Sequence, residues 1–473
     1  MASRCCTRAR ILHVHARGYA HGPQHLQSTG AQYERVADAY KDRSVLVTGG
    51  TGFLGKILIE RLLYNCADIG NIYVLMRQKK DVPLHTRLEG MFSLPLFSKL
   101  KESNPAALEK VVPVHGDLLE DQLAIADNDR RLLEDNVNMV FHVAASVQFK
   151  ATFRELMQHN YFGTRKIMDL AKGIKHLESF VYFSTAYSNI ARKYLDEKPI
   201  AALASQEDID YCLRTDTVDR LQKISSAPVY TFSKNFTEVL VEQERGELPT
   251  IMIRPAAVTA CLRDPLPGWM DTWIAHPSFF LEHSRGLVSV TVGHRDAVAD
   301  VIPADYVANL AIVAAARGRR TKKMLIYNSC TGTMNPLTWK EGCDLFRQYA
   351  LQEGKWDLPP RKLVQSSSYL VVYLLTIIRD RIPALLGDLW LRLKGEQPKY
   401  LKLQKRALFM RDNVDVLMET PVFIKCTQAF LLAQTLDDHD REKFPFDPNT
   451  IEWSEYMPTL YRSIYKYMIE KKK

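Results

Sequence analysis

Tyr230 and Lys234 stand four residues apart in Pro228-Val229-Tyr230-Thr231-Phe232-Ser233-Lys234, a spacing that puts a phenol and an ammonium on one face of a helix. A phenol with its ordinary pKa of about 10 is a poor acid or base at neutral pH. A neighbouring cation favours the phenolate, so this pair could move a proton to or from a substrate oxygen, and the same ammonium could bond a ribose hydroxyl. Pro228 is a helix entry signal, and Phe232, Phe236, Val239 and Leu240 supply a stripe to bury. Tyr194/Lys198, ahead of Pro199, and Tyr467/Lys471, near the C-terminus, repeat the spacing but read as a loop and a charged tail. Ser184-Thr185-Ala186-Tyr187 follows an apolar run, so Thr185 is placed to reach the same reacting oxygen, with Ser184 as second choice.

A second constellation is Thr48-Gly49-Gly50-Thr51-Gly52-Phe53-Leu54-Gly55, a G-x-x-G-x-x-G pattern between an apolar run and a helical pattern. Glycines let backbone turn sharply and approach a pyrophosphate, and the following helix N-terminus offers N–H groups to the anion. In that context Gly49, Thr51, Gly52, Phe53, Leu54 and Gly55 are expected to bind a dinucleotide. The next apolar run ends Leu75-Met76-Arg77-Gln78-Lys79-Lys80, with cations where an NAD site usually carries a carboxylate. Arg77 is therefore expected to hold the 2′-phosphate of NADPH; the alternative is a solvated basic loop. Asp117-Leu118 and Ala144-Ala145, after the third and fourth runs, would flank the adenine and ribose.

These groups need a scaffold. Apolar runs at Val45–Val47, Ile72–Met76, Val111–Val114, Met139–Val143, Phe180–Phe183 and Thr250–Ile253 are separated by segments long enough for helices. That rhythm predicts βαβ units, hence a doubly wound Rossmann-type parallel sheet, within 34–354. The alternation fades after about residue 330. Trp339–Leu351 has amphipathic spacing, Pro359-Pro360 breaks it, and helical patterns at 397–411, 421–436 and 455–470 predict a smaller, mostly helical C-terminal domain over 355–473. Residues 1–33 contain Arg4, Arg8, Arg10 and Arg17 and no acid, which reads as either a disordered extension or a targeting segment.

Composition narrows the partners. With 46% hydrophobic and 25% charged residues in 473, collagen-like, mucin-like and wholly disordered chains are excluded. The net charge of +9 suits phosphate-bearing ligands or lipid headgroups, and no nucleic-acid-binding motif accompanies it. Cys5, Cys6, Cys66, Cys212, Cys261, Cys330, Cys343 and Cys426 form no ligand spacing, so no metal is expected, and their scatter fits a reduced, intracellular compartment.

TGGTGFLG, HVAAS, NYFGT, YFSTAY, YTFSK and IRPAAV together resemble the extended short-chain dehydrogenase/reductases. PGWMD (267–271), ADVIPADYVAN (299–309), IYNSCTGTMNPLTW (326–339) and FDPNTIEWSEY (446–456) narrow this to the alcohol-forming fatty acyl-CoA reductases, over about 35–465. The resemblance implies reduction of a long-chain or very-long-chain acyl-CoA by two hydrides from NADPH, through an aldehyde, to a primary alcohol and CoA. It implies Tyr230 as proton donor, Lys234 as its support, Thr185 as donor to the carbonyl oxygen and Asn160 as organiser of the proton relay. Pro255 and Val258 of IRPAAV would line the nicotinamide pocket. Lys150 replaces a usual acid and Thr272 a usual Asn, and the chain closes on a lysine run. A sterol or sugar-nucleotide dehydrogenase would share the cofactor motifs but not the C-terminal strings. A catalytically idle NADP-binding scaffold would have no need of Thr185, Tyr230 and Lys234 together.

Tyr369–Ile378 supplies ten mostly apolar residues before Arg379-Asp380-Arg381, too few for the roughly 20 a spanning helix needs. Segment 369–393 reads as an interfacial helix or shallow hairpin, with Arg361, Lys362, Arg392 and Lys394 at headgroup level, or as a buried helix pair. An apolar substrate and product favour the membrane surface, and the family suits peroxisome or endoplasmic reticulum membranes.

Overall fold

Runs of β-branched and aromatic residues that are buried on both faces fit a parallel sheet covered by helices on each side. Seven such strands form the central sheet of the computed structural model: β1 (Ser44–Thr48), β2 (Ile72–Met76), β3 (Val111–His115), β4 (Val137–His142), β5 (Ser179–Phe183), β6 (Thr250–Pro255) and β7 (Leu325–Ser329). The structure describes residues 33–78, 82–148, 151–189, 194–225, 227–273, 275–294, 296–419 and 422–470. The extension 1–32 and Lys79, Lys80 and Lys150 lie outside them.

The spatial order is β3-β2-β1-β4-β5-β6-β7, every neighbour parallel, with Val45 beside Ile72, Val47 beside Phe141 and Met252 beside Ile326. Strand order reverses between β1 and β4, which opens the crevice at the carboxyl ends where doubly wound sheets bind ligands. Helices α1 (Phe53–Asn65), α2 (Gly163–Gly173), α3 (Val229–Glu244) and α4 (Ala304–Arg317) cover the sheet. Residues 304–316 of α4 are all buried, sharing a core with Ile57 and Leu58 of α1, while Ile167 and Leu170 of α2 pack on Leu46 and Phe180 across the opposite face. Six strands follow the predicted runs. The seventh, β7, lies where the alternation fades, because it ends on the polar pair Asn328-Ser329: Asn328 donates to the carbonyls of Leu195 (3.3 Å) and Lys425 (2.7 Å) instead of packing.

Beyond the sheet, α5 (Trp339–Glu353) starts at a Thr338/Glu341 capping box and stops at Gly354 in the left-handed conformation. Then α6 (Tyr369–Leu375), a π-helical turn (Thr376–Arg381) and α7 (Ile382–Leu393) run on as one helical stretch, followed by α8 (Tyr400–Glu419) and α9 (Trp453–Ser463). Two expectations need correction. Segment 421–436 is not one helix: Phe423–Ile424 pairs in parallel with Tyr194–Leu195, and helix follows only at Thr427–Ala433. Tyr194 therefore sits in a strand, not a loop.

The strings that marked the C-terminal half fasten it to the body around the sheet and tie down the segments between them. The Tyr456 hydroxyl donates to Ala260 O (2.6 Å), Asn335 donates to Pro448 O (2.9 Å) and Ile451 O (2.7 Å), and Asp305 accepts from the amides of Leu262 and Arg263 (both 2.9 Å). Gly268 of PGWMD has φ +75°, and a Cβ there would collide with Ser463 Oγ of α9. Asp271 of the same string pairs with Lys56 of α1.

Candidate active site

The glycine cradle follows β1. Gly49 adopts φ +71°, and a Cβ would stand 2.7 Å from Ala144 Cα and N, so no other residue fits this turn. Gly52, the N-cap of α1, donates its N–H to Gly49 O (2.9 Å), and a Cβ at Gly55 would overlap that same carbonyl. Thr51 and Gly52 are exposed and Phe53 and Leu54 half-buried, at a thirteen-residue helix whose first N–H groups face the crevice. This is a surface a pyrophosphate can approach closely, and the residues present fit a dinucleotide. The contact with Ala144 puts Ala144-Ala145 beside the cradle.

Arg77 closes β2 and is exposed, with no carboxylate paired to it among the described residues. Arg87 reaches back to donate to the Arg77 carbonyl. His159 is held below its ordinary pKa, first by burial and then by the charge of Arg77, with Asp117 opposing, so these three side chains share one neighbourhood. Asp117 accepts from Leu119 N (3.1 Å), and Leu118 packs on Gly163 at the start of α2.

Helix α3 carries the proton-transfer candidates. It begins at Val229 behind Pro228, so Tyr230 lies in its first turn, half-buried, and Lys234 in its second, fully buried. Lys234 Nζ donates to Phe183 O (2.7 Å), the last residue of β5, and sits 4.7 Å from the Tyr182 ring. That bond pins the helix against the strand end that bears Thr185. Thr185 Oγ accepts from Tyr187 N (3.2 Å) and makes a long bond to Pro255 O (3.4 Å), so its proton is weakly committed. Val258 lies just beyond, in a short strand (Ala257–Thr259) paired with Val301–Pro303.

Three readings change here. Burial pushes the Tyr230 phenol above its ordinary pKa, and Lys234 does not offset it, since burial drives the lysine itself down to about 7. Burial thus works against the ammonium that would lower the phenol's pKa, and the Glu238 charge opposes that loss. Ser184 turns away: its hydroxyl donates to buried Glu238. No hydrogen bond joins the Tyr230 hydroxyl to Lys234 or Thr185 among the described residues. Asn160 is likewise spent, its amide donating to Ser146 O (3.1 Å) and Ser233 Oγ (3.0 Å) and accepting from Ser146 N (2.8 Å). It lies in a π-helical turn (Met157–Phe162), and Ser233 in turn donates to Tyr230 O (2.8 Å).

Sequence reasoning missed the buried polar wire beneath the cradle. Thr48 Oγ meets His142 Nδ1 (2.7 Å), His142 Nε2 meets Thr164 Oγ (2.9 Å), and Thr164 donates to Asn160 O (2.5 Å). Burial, then the charge of Lys234, drives His142 down to about 3, so it stays neutral and relays hydrogen bonds rather than charge. A histidine closing β4 was its only signal. Glu238 and Arg254 also escaped notice, although Glu238 stands four residues past Lys234.

Residues 47–311 match an NAD-binding family profile described as "Male sterility protein", and residues 379–471 match a second, Sterile, with the same description. The chain is 32% identical over 448 residues to fatty acyl-CoA reductase 1 of Xenopus laevis and 31% identical over 449 residues to fatty acyl-CoA reductase 2 of Homo sapiens. Each comparison covers 92% of this chain and 86% of the relative. Among solved structures, the terminal R domain from the myxalamid PKS-NRPS biosynthetic pathway superposes with a TM-score of 0.56 at 21% identity, covering 90% of this chain and 91% of that one. The reductase domain of a nonribosomal peptide synthetase from Mycobacterium tuberculosis gives 0.57 at 19% identity, covering 91% and 94%. These two likenesses bear on the fold alone.

Proposed function

Because the chain belongs to the fatty acyl-CoA reductase (male sterility) family, we propose that it reduces a long-chain or very-long-chain acyl-CoA to the primary alcohol and CoA, using two equivalents of NADPH. A nicotinamide cofactor bound in the Gly49–Gly55 cradle supplies hydride. The chain's own residues do the rest. Thr185 donates to the thioester carbonyl oxygen as negative charge develops on it, and Tyr230 delivers the proton that leaves a hydroxyl. As the C–S bond of the first tetrahedral product breaks, its hydroxyl proton passes to the departing sulfur, giving an aldehyde and the CoA thiol, and the same two side chains serve the aldehyde oxygen in the second reduction. Lys234 orients the ribose and, when protonated, eases release of the Tyr230 proton, which solvent then restores. Asn160 and Ser233 fix the backbone of the α3 first turn. The observation that supports this reading is the Lys234–Phe183 bond, which fastens α3, one turn beyond Tyr230, to the end of β5 that leads into Thr185.

Preference for NADPH is supported by Arg77 at the β2 end, which pairs with no carboxylate among the described residues, and by Arg87 beside it. Contact with a membrane surface is supported by the helical stretch 369–393. No helix among the described residues is long and apolar enough to cross a bilayer. Yet Tyr369, Tyr373, Ile378, Leu386, Trp390 and Leu393 all stand exposed. Of the charged triplet, Asp380 points inward and accepts from Ser289 N (3.1 Å) and Oγ (2.5 Å), Arg379 reaches Lys362 O (3.0 Å), and Arg381 stays exposed, where its long side chain can reach headgroups. Lys394 rides over the Trp390 ring at 3.6 Å, an arrangement suited to headgroup depth. We place this face on a peroxisomal or endoplasmic reticulum membrane, where the apolar thioester and alcohol partition. The test is purified protein with NADPH and acyl-CoAs of graded length, following alcohol, aldehyde and free CoA. Alcohol with about two NADPH per thioester is expected from the balance of the reaction; accumulation of aldehyde alone would reject the second reduction.

A further inference from the structure

Tyr230, Lys234 and Glu238 recur every four residues along α3, so the third member of the row is a carboxylate one turn beyond the lysine. It is paired in the core: Arg254 donates to Glu238 through Nη2 at 2.7 Å and through Nε at 3.1 Å to each oxygen, and neither side chain is more than 1% exposed. The remaining Arg254 donors reach Asp196 O and Lys198 O, both at 3.0 Å. Each guanidinium nitrogen has a partner, which is what a buried pair needs to be tolerated at all, although apolar residues would serve stability as well or better.

We infer that the Glu238–Arg254 pair is a positioning element of the Tyr230–Lys234 site, fixing a carboxylate one helical turn beyond Lys234 and turning Ser184 away so that Thr185 alone addresses the reacting oxygen. The inference rests on the reading of that site given above. Ser184 is captured because its hydroxyl donates to Glu238. Lys234 is served because the Glu238 carboxylate is the charge that opposes the burial driving the lysine down. The titratable groups around Lys234 are His142 on β4, Tyr182 on β5, Arg254 on β6, and Tyr230 and Glu238 on α3. Of these Glu238 is the one standing carboxylate. Arg254 completes the device by tying the carboxylate to segment 196–198, so that Glu238 cannot swing toward Lys234 and form a closed salt bridge that would withdraw the ammonium from the ribose.

The test is Glu238→Gln, which keeps shape and can still accept from Ser184 but lacks charge. NADPH affinity of the full chain is measured from pH 5.5 to 9 and divided by the wild-type value at each pH, which cancels titration of the cofactor. Removing one nearby opposite charge lowers the Lys234 midpoint by about one pH unit. From a midpoint of about 7, affinity at pH 7 then falls about fivefold, while at pH 5.5 the two proteins agree. Glu238→Asp restores the midpoint. If Glu238→Gln fails to fold, the Glu238→Leu/Arg254→Met double substitution replaces the pair with apolar volume, and a smaller shift in the same direction is expected, because the more distant cation leaves with the carboxylate. A ratio that is flat across pH, or variants that never fold, would make the pair merely structural and overturn the inference. Should wild type lack acyl-CoA turnover while the NADPH ratio still bends with pH, the proposed reaction falls and the positioning role stands.

Discussion

Tyr456→Phe separates a stapling role for the C-terminal strings from a chemical one. Tyr456 is buried, with its hydroxyl 2.6 Å from both Ala260 O and Thr259 Oγ, while Thr259 Oγ also lies 3.1 Å from Ile302 O. Two hydroxyl protons therefore serve three close contacts. Removing the tyrosine hydroxyl takes away one proton and leaves a buried main-chain carbonyl unpaired, while the ring keeps its packing and no methylene-sized cavity opens. The cost is that of one unsatisfied buried acceptor, about 1–3 kcal/mol. For a chain this long, that is a fall of a few degrees in Tm at most, since domains of roughly 150–250 residues lose about 2–4 °C per kcal/mol. Thermal unfolding should show that loss, and kcat and KM for acyl-CoA at 25 °C should match wild type. If kcat instead fell tenfold or more with Tm intact, FDPNTIEWSEY would contribute to the chemistry and the stapling argument would be wrong.

Arg77→Ala should weaken NADPH binding roughly tenfold, the lower end for a charge-assisted hydrogen bond at an exposed site, and leave NADH binding unchanged; equal losses for both cofactors would refute its phosphate role. Because His142 sits near a pKa of about 3 against about 6.5 in the unfolded chain, the folded state excludes a proton that the unfolded state binds. Stability from this group is complete above pH 6.5 and drains as pH falls, by about 1.4 kcal/mol at pH 5.5. His142→Asn should flatten that slope, and parallel stability curves for the two proteins would contradict a buried neutral imidazole. Leu386→Glu/Trp390→Glu should abolish co-flotation with acidic phospholipid vesicles while sparing reduction of a short, soluble acyl-CoA; unchanged flotation would remove helix 369–393 from the membrane contact.

The sheet was legible because each strand is a run of apolar residues bounded by turn chemistry, and the cradle because glycine is obligatory where φ is positive and backbone meets Ala144. Tyr230 and Lys234 were legible from spacing on one helix. What escaped depends on contacts between distant segments. β7 ends on a polar pair because Asn328 faces Leu195 and Lys425, and Phe423–Ile424 becomes a strand only because Tyr194–Leu195 is there to pair with it. Ser184 and Asn160 looked available in sequence, yet their hydrogen-bonding capacity is consumed by Glu238, Ser146 and Ser233. The charged triplet 379–381 reads as a break in an apolar helix until Ser289 is seen beneath Asp380.

The central claim is that the Tyr230 hydroxyl supplies the proton in both reductions. Single-turnover measurements on Tyr230→Phe, with NADPH affinity determined on the same sample, test it most directly. The account predicts a rate at least about a hundredfold below wild type, as for loss of a general acid, with NADPH affinity preserved; a rate within a few-fold of wild type would contradict it.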